Sequence, residues 1–319
     1  MVYTPRNKER NDMRALVARR LNGPEAVELI ETAVPEPAAG QVRIKVAAAA
    51  VNPVDLAISS GALVEVGLTA PREQFGLGWD VAGTVDAVGP GCQLQIGTPV
   101  VGVADRLAQS LKTHAEYVVL DAGTVTEAPH GVELERAATY GLNGLTALQA
   151  VKAVRGETVL ITGAAGGVGG YAVELAKHFN KTVIASAAPA DEDLVRRLGA
   201  DHFIDRNDDL AAAVRRIAPA GVDGVVDAAV AGIGAQEAVR NGGRHVHLQG
   251  GPRPPHLRGI TVEQVFIHVN QEQLAELTQL VEKNVISTRI ADTYELGDAQ
   301  QAYKRLAEGG VRGRLVLAP

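Results

Sequence analysis

The stretch ETVLITGAAGGVGG (157–170) decides how this chain is built. Thr158 to Ile161 is a short aliphatic and β-branched run, the glycines follow at once, and Val168, Ala172, Leu175, Ala176 and Phe179 then recur on one helical face. KTVIASA (181–187) reads as a second strand. Strand, glycine loop, helix and strand within about 30 residues form the arrangement in which backbone amides at a helix N-terminus approach a pyrophosphate, so the loop predicts dinucleotide binding. The competing reading is a glycine-rich turn with no ligand. A phosphate loop is excluded, because the chain contains no Gly-Lys-Ser or Gly-Lys-Thr.

Downstream the same alternation continues. HFID (202–205), a helix with Leu210, Val214 and Ile217 on one face, VDGVVDAAV (222–230) and RHVHLQG (244–250) extend the series, which predicts a parallel sheet covered by helices. Upstream the texture differs. From Met13 to about Thr139 the apolar residues fall in short runs broken by Gly and Pro: MRALVA, AVELIE, QVRIKVAAAAV, WDVAGTVDAVG, TPVVGV and HAEYVVL. Such runs predict a β-rich domain with tight turns.

The length of 319 residues, with 46% hydrophobic and 21% charged residues, fits two soluble domains. A net charge of −6 gives no support to a nucleic-acid or anionic-membrane partner. Cys92 is the only cysteine, which excludes an internal disulfide or a cysteine-rich zinc site and fits a reducing compartment. The N-terminus MVYTPRNKERND has no apolar core, and the longest apolar run, Val46 to Val51, is far too short to span a membrane. A cytoplasmic location is expected.

The loop can be spelled in two ways. Gly163, Gly166 and Gly169 fit A/G-x-x-G-x-x-G, and Thr162, Gly163, Gly167 and Gly169 fit the T-G-x-x-x-G-x-G of short-chain dehydrogenases. Those enzymes need Tyr-x-x-x-Lys, in which the lysine lowers the tyrosine pKa. None of the six tyrosines here has a lysine four residues later. AAAVNPVDLAISSG (48–61), GWDVAGTVDAVG (78–89), GLTALQAV (144–151), ITGAAGGVGGYAVELAK (161–177), LGADHFID (198–205) and RGRLVL (312–317), taken in that order, resemble the medium-chain dehydrogenase/reductases, and within them the zinc-free quinone oxidoreductase group that includes zeta-crystallin. The resemblance implies an α/β protein. A GroES-like β-rich catalytic domain would span 1–140, with 287–319 returning to it, and a doubly wound Rossmann cofactor domain would span 141–286. A homodimer is implied as well.

The sequence departs from the zinc-using relatives where they hold metal. Their Cys-x-x-Asp is Asn52-x-x-Asp55 here, and their Gly-His-Glu is Gly78-Trp79-Asp80, so no metal is expected. His245 and His247 face the same side of one strand, where a polar strand end is the simpler reading than a metal pair. Trp79 is read as a pocket wall or as core.

The resemblance places Asn52 beside the nicotinamide and Thr146 near its ribose or phosphates. The loop residues Gly163, Gly166, Gly167, Val168 and Gly169 are assigned to the cofactor. Tyr140 either donates a hydrogen bond to a substrate carbonyl or packs as a half-buried ring. The second strand ends at Ser186-Ala187 without the acid that would accept ribose hydroxyls, and Asp191 and Glu192 read as the start of the next helix. Arg206 follows the third strand, where its guanidinium would meet a 2′-phosphate, its alternative being a solvated charge opposite Asp208 or Asp209. NADPH is therefore the expected cofactor, with a quinone or an α,β-unsaturated carbonyl as the small-molecule substrate. A zinc-free alcohol or aldehyde dehydrogenase and a non-catalytic NADPH-binding sensor or structural protein are the alternatives.

Overall fold

The computed structural model describes residues 12–248 and 250–319, and the N-terminal residues of the polar MVYTPRNKERND segment lie outside them. The chain divides into two compact units. One comprises the residues up to Glu127 together with Asp292–Gly309 and Leu315–Pro319, and the other Ala128–Ala291 together with Gly310–Arg314.

In the first unit the strand Gln41–Val51 is the organising element. Val42, Ile44 and Val46 turn inward while Lys45 points to solvent, the period-two pattern of a half-buried strand. From Ala48 onward the small residues are buried on both faces. The strand pairs antiparallel with Asp80–Val88 and with Tyr117–Asp121, and Asp80–Val88 pairs in turn with Pro99–Val103. Val81, Val85, Val100, Val118, Leu120 and Val125 close the core. The C-terminal residues return to this unit, Leu315–Leu317 pairing antiparallel with Ala49–Val51. This is a GroES-like β domain.

The second unit holds a six-stranded sheet in the order His202–Asp205, Thr182–Ala187, Thr158–Thr162, Val222–Asp227, Val239–His247, Thr261–Gln264. All five pairings are parallel. This is the doubly wound order, and its direction reverses at Thr158–Thr162, so the crevice at the C-terminal end of that strand is the place where such sheets bind ligands. Leu160, Ile184, Val214, Val225 and Val239 form the core on one face.

Two elements differ from the sequence reading. The fourth strand stops at Asp227 and does not run on to Val230, because the Asp227 carboxylate takes the amides of Ala231 and Gly232 and turns the chain. The sixth strand, Thr261–Gln264, has a single fully buried residue, Val262, as expected of an edge strand, and its apolar signal is correspondingly weak. Ala128–Tyr140 lies with the second unit, tied there by the Tyr171 hydroxyl, which donates to the Thr139 carbonyl at 3.3 Å. Among the described residues no helix is long and apolar enough to cross a membrane.

Candidate active site

The glycine loop leaves the first strand of the parallel sheet at Thr162. Gly163 has φ +60°, a left-handed conformation that costs glycine nothing, and the Gly166 amide closes the turn by donating to its carbonyl at 2.9 Å. A Cβ on Gly169 would lie 2.1 Å from that same carbonyl oxygen, so only glycine lets helix and strand approach this closely. The helix Gly167–His178 starts with Gly166 as N-cap and has no side-chain cap. Its first amides, with half-buried Val168 in the first turn, are therefore left for an anion.

Three groups that sequence reasoning missed build the surroundings of this loop. A Cβ on Gly167 would meet Asn143 Nδ2 at 2.4 Å and Arg314 Nη1 at 3.2 Å, so an amide and a guanidinium flank the helix start. Asp227 is the third. Its carboxylate accepts the Thr162 hydroxyl at 2.6 Å and the amides of Ala231 and Gly232 at 2.9 and 2.8 Å, and His245 Nε2 faces it at 3.6 Å. Burial alone would raise Asp227, but His245, Thr162 and the two amides outweigh it and hold the carboxyl at about 2. The Thr162 hydroxyl in turn accepts the Ala229 amide, which locks the strand end under the loop. At 3.6 Å His245 makes no hydrogen bond to Asp227, and neither of its ring nitrogens has a hydrogen-bond partner among the described residues. The His247 ring stands edge-on to it at 6.1 Å between centroids and contacts the Leu248 carbonyl through Nδ1.

At the second strand, Ser186 is buried and its carbonyl accepts the Ala164 amide of the glycine loop. Ala187 pairs with Asp205, and the Arg206 amide donates to the Ala187 carbonyl at 2.8 Å. The exposed Arg206 therefore sits at the mouth of the second strand. Neither Asp208 nor Asp209 forms an ion pair with it; Asp209 instead caps the helix Leu210–Ile217 through the Ala212 amide. Asp191 does precede the helix Glu192–Arg197, but its carboxylate holds Arg312 through two contacts of 2.5 Å, a pairing across 121 residues that no local pattern announces.

Tyr140 needs correction. It is fully buried, and its hydroxyl is engaged with Thr278 Oγ1 at 2.8 Å, so it is a packing tyrosine and does not present its hydroxyl to a substrate. The Thr146 hydroxyl donates to the Leu142 carbonyl one turn back in the helix Gly141–Ala153, at 2.7 Å, which leaves its oxygen lone pairs as the outward function.

A second polar cluster lies in the first unit. Asn52 caps the helix Pro53–Ser59; its amide nitrogen Nδ2 donates to Asp80 Oδ2 at 2.9 Å and to the Ala50 carbonyl at 3.1 Å. Asp55 accepts the backbone N–H of Asn52 at 2.9 Å and of Gly78 at 2.8 Å. Trp79 is 4% exposed, and Lys112 Nζ stands 3.5 Å above its ring centroid. Burial pushes Lys112 from 10.5 down to about 7, against the attraction of Asp55 and Asp105. His114, lowered by its own burial, contacts the Tyr303 hydroxyl at 3.0 Å through Nδ1. The cluster does not suit a zinc ion. Asn52 presents amide hydrogens, the Trp79 position offers no lone pair, and an ammonium lies against it.

Known proteins share this architecture. The alcohol dehydrogenase GroES-like domain matches residues 38–130, and the zinc-binding dehydrogenase domain matches 198–317. The chain is 28% identical over 318 residues to a chloroplast envelope quinone oxidoreductase homolog of Arabidopsis thaliana, covering 93% of this chain and 95% of that one. It is also 28% identical over 321 residues to an NADPH-dependent alkenal/one oxidoreductase of the same plant, covering 97% and 80%. A mycobacterial protein solved in complex with NADPH superposes with a TM-score of 0.82 at 28% identity, covering 96% of this chain and all of that one.

Proposed function

The chain is an oxidoreductase of the medium-chain dehydrogenase/reductase superfamily, and we propose that it reduces a quinone or an α,β-unsaturated carbonyl with NADPH and without a metal. The observation that carries this reading is the pair of positions where zinc-using relatives hold ligands. Asn52 spends its amide hydrogens on Asp80 and Ala50, and Trp79 lies beneath the Lys112 side chain. A divalent cation has neither a suitable ligand set nor a favourable field there.

NADPH would be held by the amides at Gly167, Val168 and Gly169, with Gly163 and Gly166 giving the turn. Asn143 and Arg314 flank the same loop, and Thr146 and Asn52 would line the ribose and nicotinamide. Ser186 and Arg206 stand at the mouth of the second strand, where the exposed guanidinium suits a 2′-phosphate and neither Asp208 nor Asp209 competes for it. When bound, the cofactor supplies a hydride. The residues of the chain position the acceptor and stabilise the charge that forms on it.

The absence of a Lewis acid then selects the substrate. An isolated ketone that receives hydride develops a full alkoxide charge, which zinc relatives offset by several kcal/mol. A conjugated acceptor spreads the charge into an enolate or hydroquinone anion, for which hydrogen-bond donors suffice. Product analysis with deuterated NADPH and cyclohexenone, alongside a quinone panel and a chelator control, tests the reading. Deuterium at the β-carbon of a saturated ketone, or chelator-insensitive NADPH consumption with a quinone, is expected. Allylic alcohol as the main product, or faster turnover of plain aldehydes, refutes it.

A further inference from the structure

Lys112 is 1% exposed, and among the described residues its Nζ has no hydrogen-bond partner. Trp79 Nε1, on the ring beneath it, is likewise buried and unpartnered. The two segments are pressed together. A Cβ on Gly78 would lie 2.3 Å from Thr113 Oγ1 and 2.5 Å from His114 Cδ2, so the backbone of 112–114 runs directly against that of 78–79. Asp55, one of the two carboxylates that attract Lys112, already spends its oxygens on the Asn52 and Gly78 amides. An unmade hydrogen bond on a buried group is costly, and more so when the group is charged, so two adjacent buried donors without acceptors mark a place that an acceptor completes. Trp79 sits where zinc-using relatives have a metal ligand, next to Asp80, which holds Asn52.

We propose that Lys112, its ammonium held against the face of Trp79, is a catalytic residue that receives the substrate's oxyanion. This rests on the reduction of a quinone or enone argued above. Hydride arrival at the β-carbon of an enone moves an electron pair onto the carbonyl oxygen, and the Lys112 N–H donates to that oxygen. A proton then passes from Nζ to the enolate to complete the saturated ketone, and water returns a proton to the amine. For a quinone the same donor receives the hydroquinone monoanion. The charged and titratable groups around Lys112 are Asp55, Asp105 and His114. The Trp79 face favours the protonated amine.

The test is direct binding of 4-nitrophenolate, which mimics the oxyanion, to NADP⁺-loaded protein by calorimetry in buffers of different ionisation enthalpy. The wild type is expected to bind the phenolate and to take up a proton above neutral pH, because the bound anion raises the proton affinity of Lys112. Lys112→Met and Lys112→Gln are expected to weaken binding roughly 10- to 100-fold, abolish the proton uptake and leave NADPH affinity unchanged. Two variants of different polarity guard against one failing to fold. Equal affinity and equal proton uptake in the wild type and both variants would overturn the proposal, as would failure of the wild type to bind phenolate. A wild type that binds phenolate through Lys112 yet fails to oxidise NADPH with enones or quinones would refute the reaction and leave the oxyanion site standing.

Discussion

Replacing Lys112 with Met should stabilise the first unit, and should do so only where the lysine is charged. The fall of the Lys112 pKa from 10.5 to about 7 on burial corresponds to about 5 kcal/mol of penalty on the ammonium. The contact of Nζ with the Trp79 face, at 3.5 Å, works against that penalty, which is therefore an upper figure. The folded pKa lies below the unfolded one. The penalty is therefore complete below about pH 7, where both states are protonated, shrinks as the pH rises toward 10.5, and is gone above it. Met fills the same apolar slot without that term. Urea unfolding at about pH 6 and about pH 10 measures the difference, followed by the fluorescence of Trp79, which is the only tryptophan and lies in the unit that carries Lys112. The variant should gain up to about 5 kcal/mol at the lower pH and much less at the higher. An advantage that does not change with pH, or a variant less stable than the wild type at the lower pH, would refute the reasoning.

Other substitutions probe the second unit. Arg206→Ala should weaken NADPH roughly 10- to 100-fold and leave NADH nearly unchanged, measured by cofactor fluorescence titration; equal losses would mean that Arg206 acts on general binding. Gly169→Ala forces a Cβ to within 2.1 Å of the Gly163 carbonyl and should abolish dinucleotide binding in the same assay, whereas near-normal affinity would show that the loop does not hold the cofactor. Asp227→Asn should cost about 2–3 kcal/mol, because its amide cannot replace a carboxylate that takes the Thr162 hydroxyl and two backbone amides. With its carboxyl held at about 2 and an unfolded value of 3.8, wild-type Asp227 stabilises the fold above about pH 4 and loses that contribution as the pH falls toward 2, so acid-unfolding curves of wild type and Asn variant should converge there.

The alternation of strands and helices and the glycine turn were legible in the sequence, because both depend on residues close together in the chain. The spacing of Gly163, Gly166 and Gly169 sets a turn and a helix start that backbone sterics alone enforce. The aliphatic runs at Thr158–Thr162 and Thr182–Ala187 can be buried only as neighbouring strands once a helix joins them. The residues Asn52 and Trp79 themselves were equally readable, whereas the contacts of Asn52 with Asp80 and of Trp79 with Lys112 were not. What only the tertiary structure decided was which distant groups meet. Tyr140 was an open choice between donor and packing residue until Thr278, 138 residues away, was found to hold its hydroxyl. Asp191 looked like a helix start, yet its partner is Arg312; Asp227 carried no motif, yet it fastens Thr162 beneath the glycine loop. Lys112 carries no motif in the sequence. Its burial over Trp79 follows from strands and loops closing around it, and the cost of an unpaired charge exists only after that closure has removed the water.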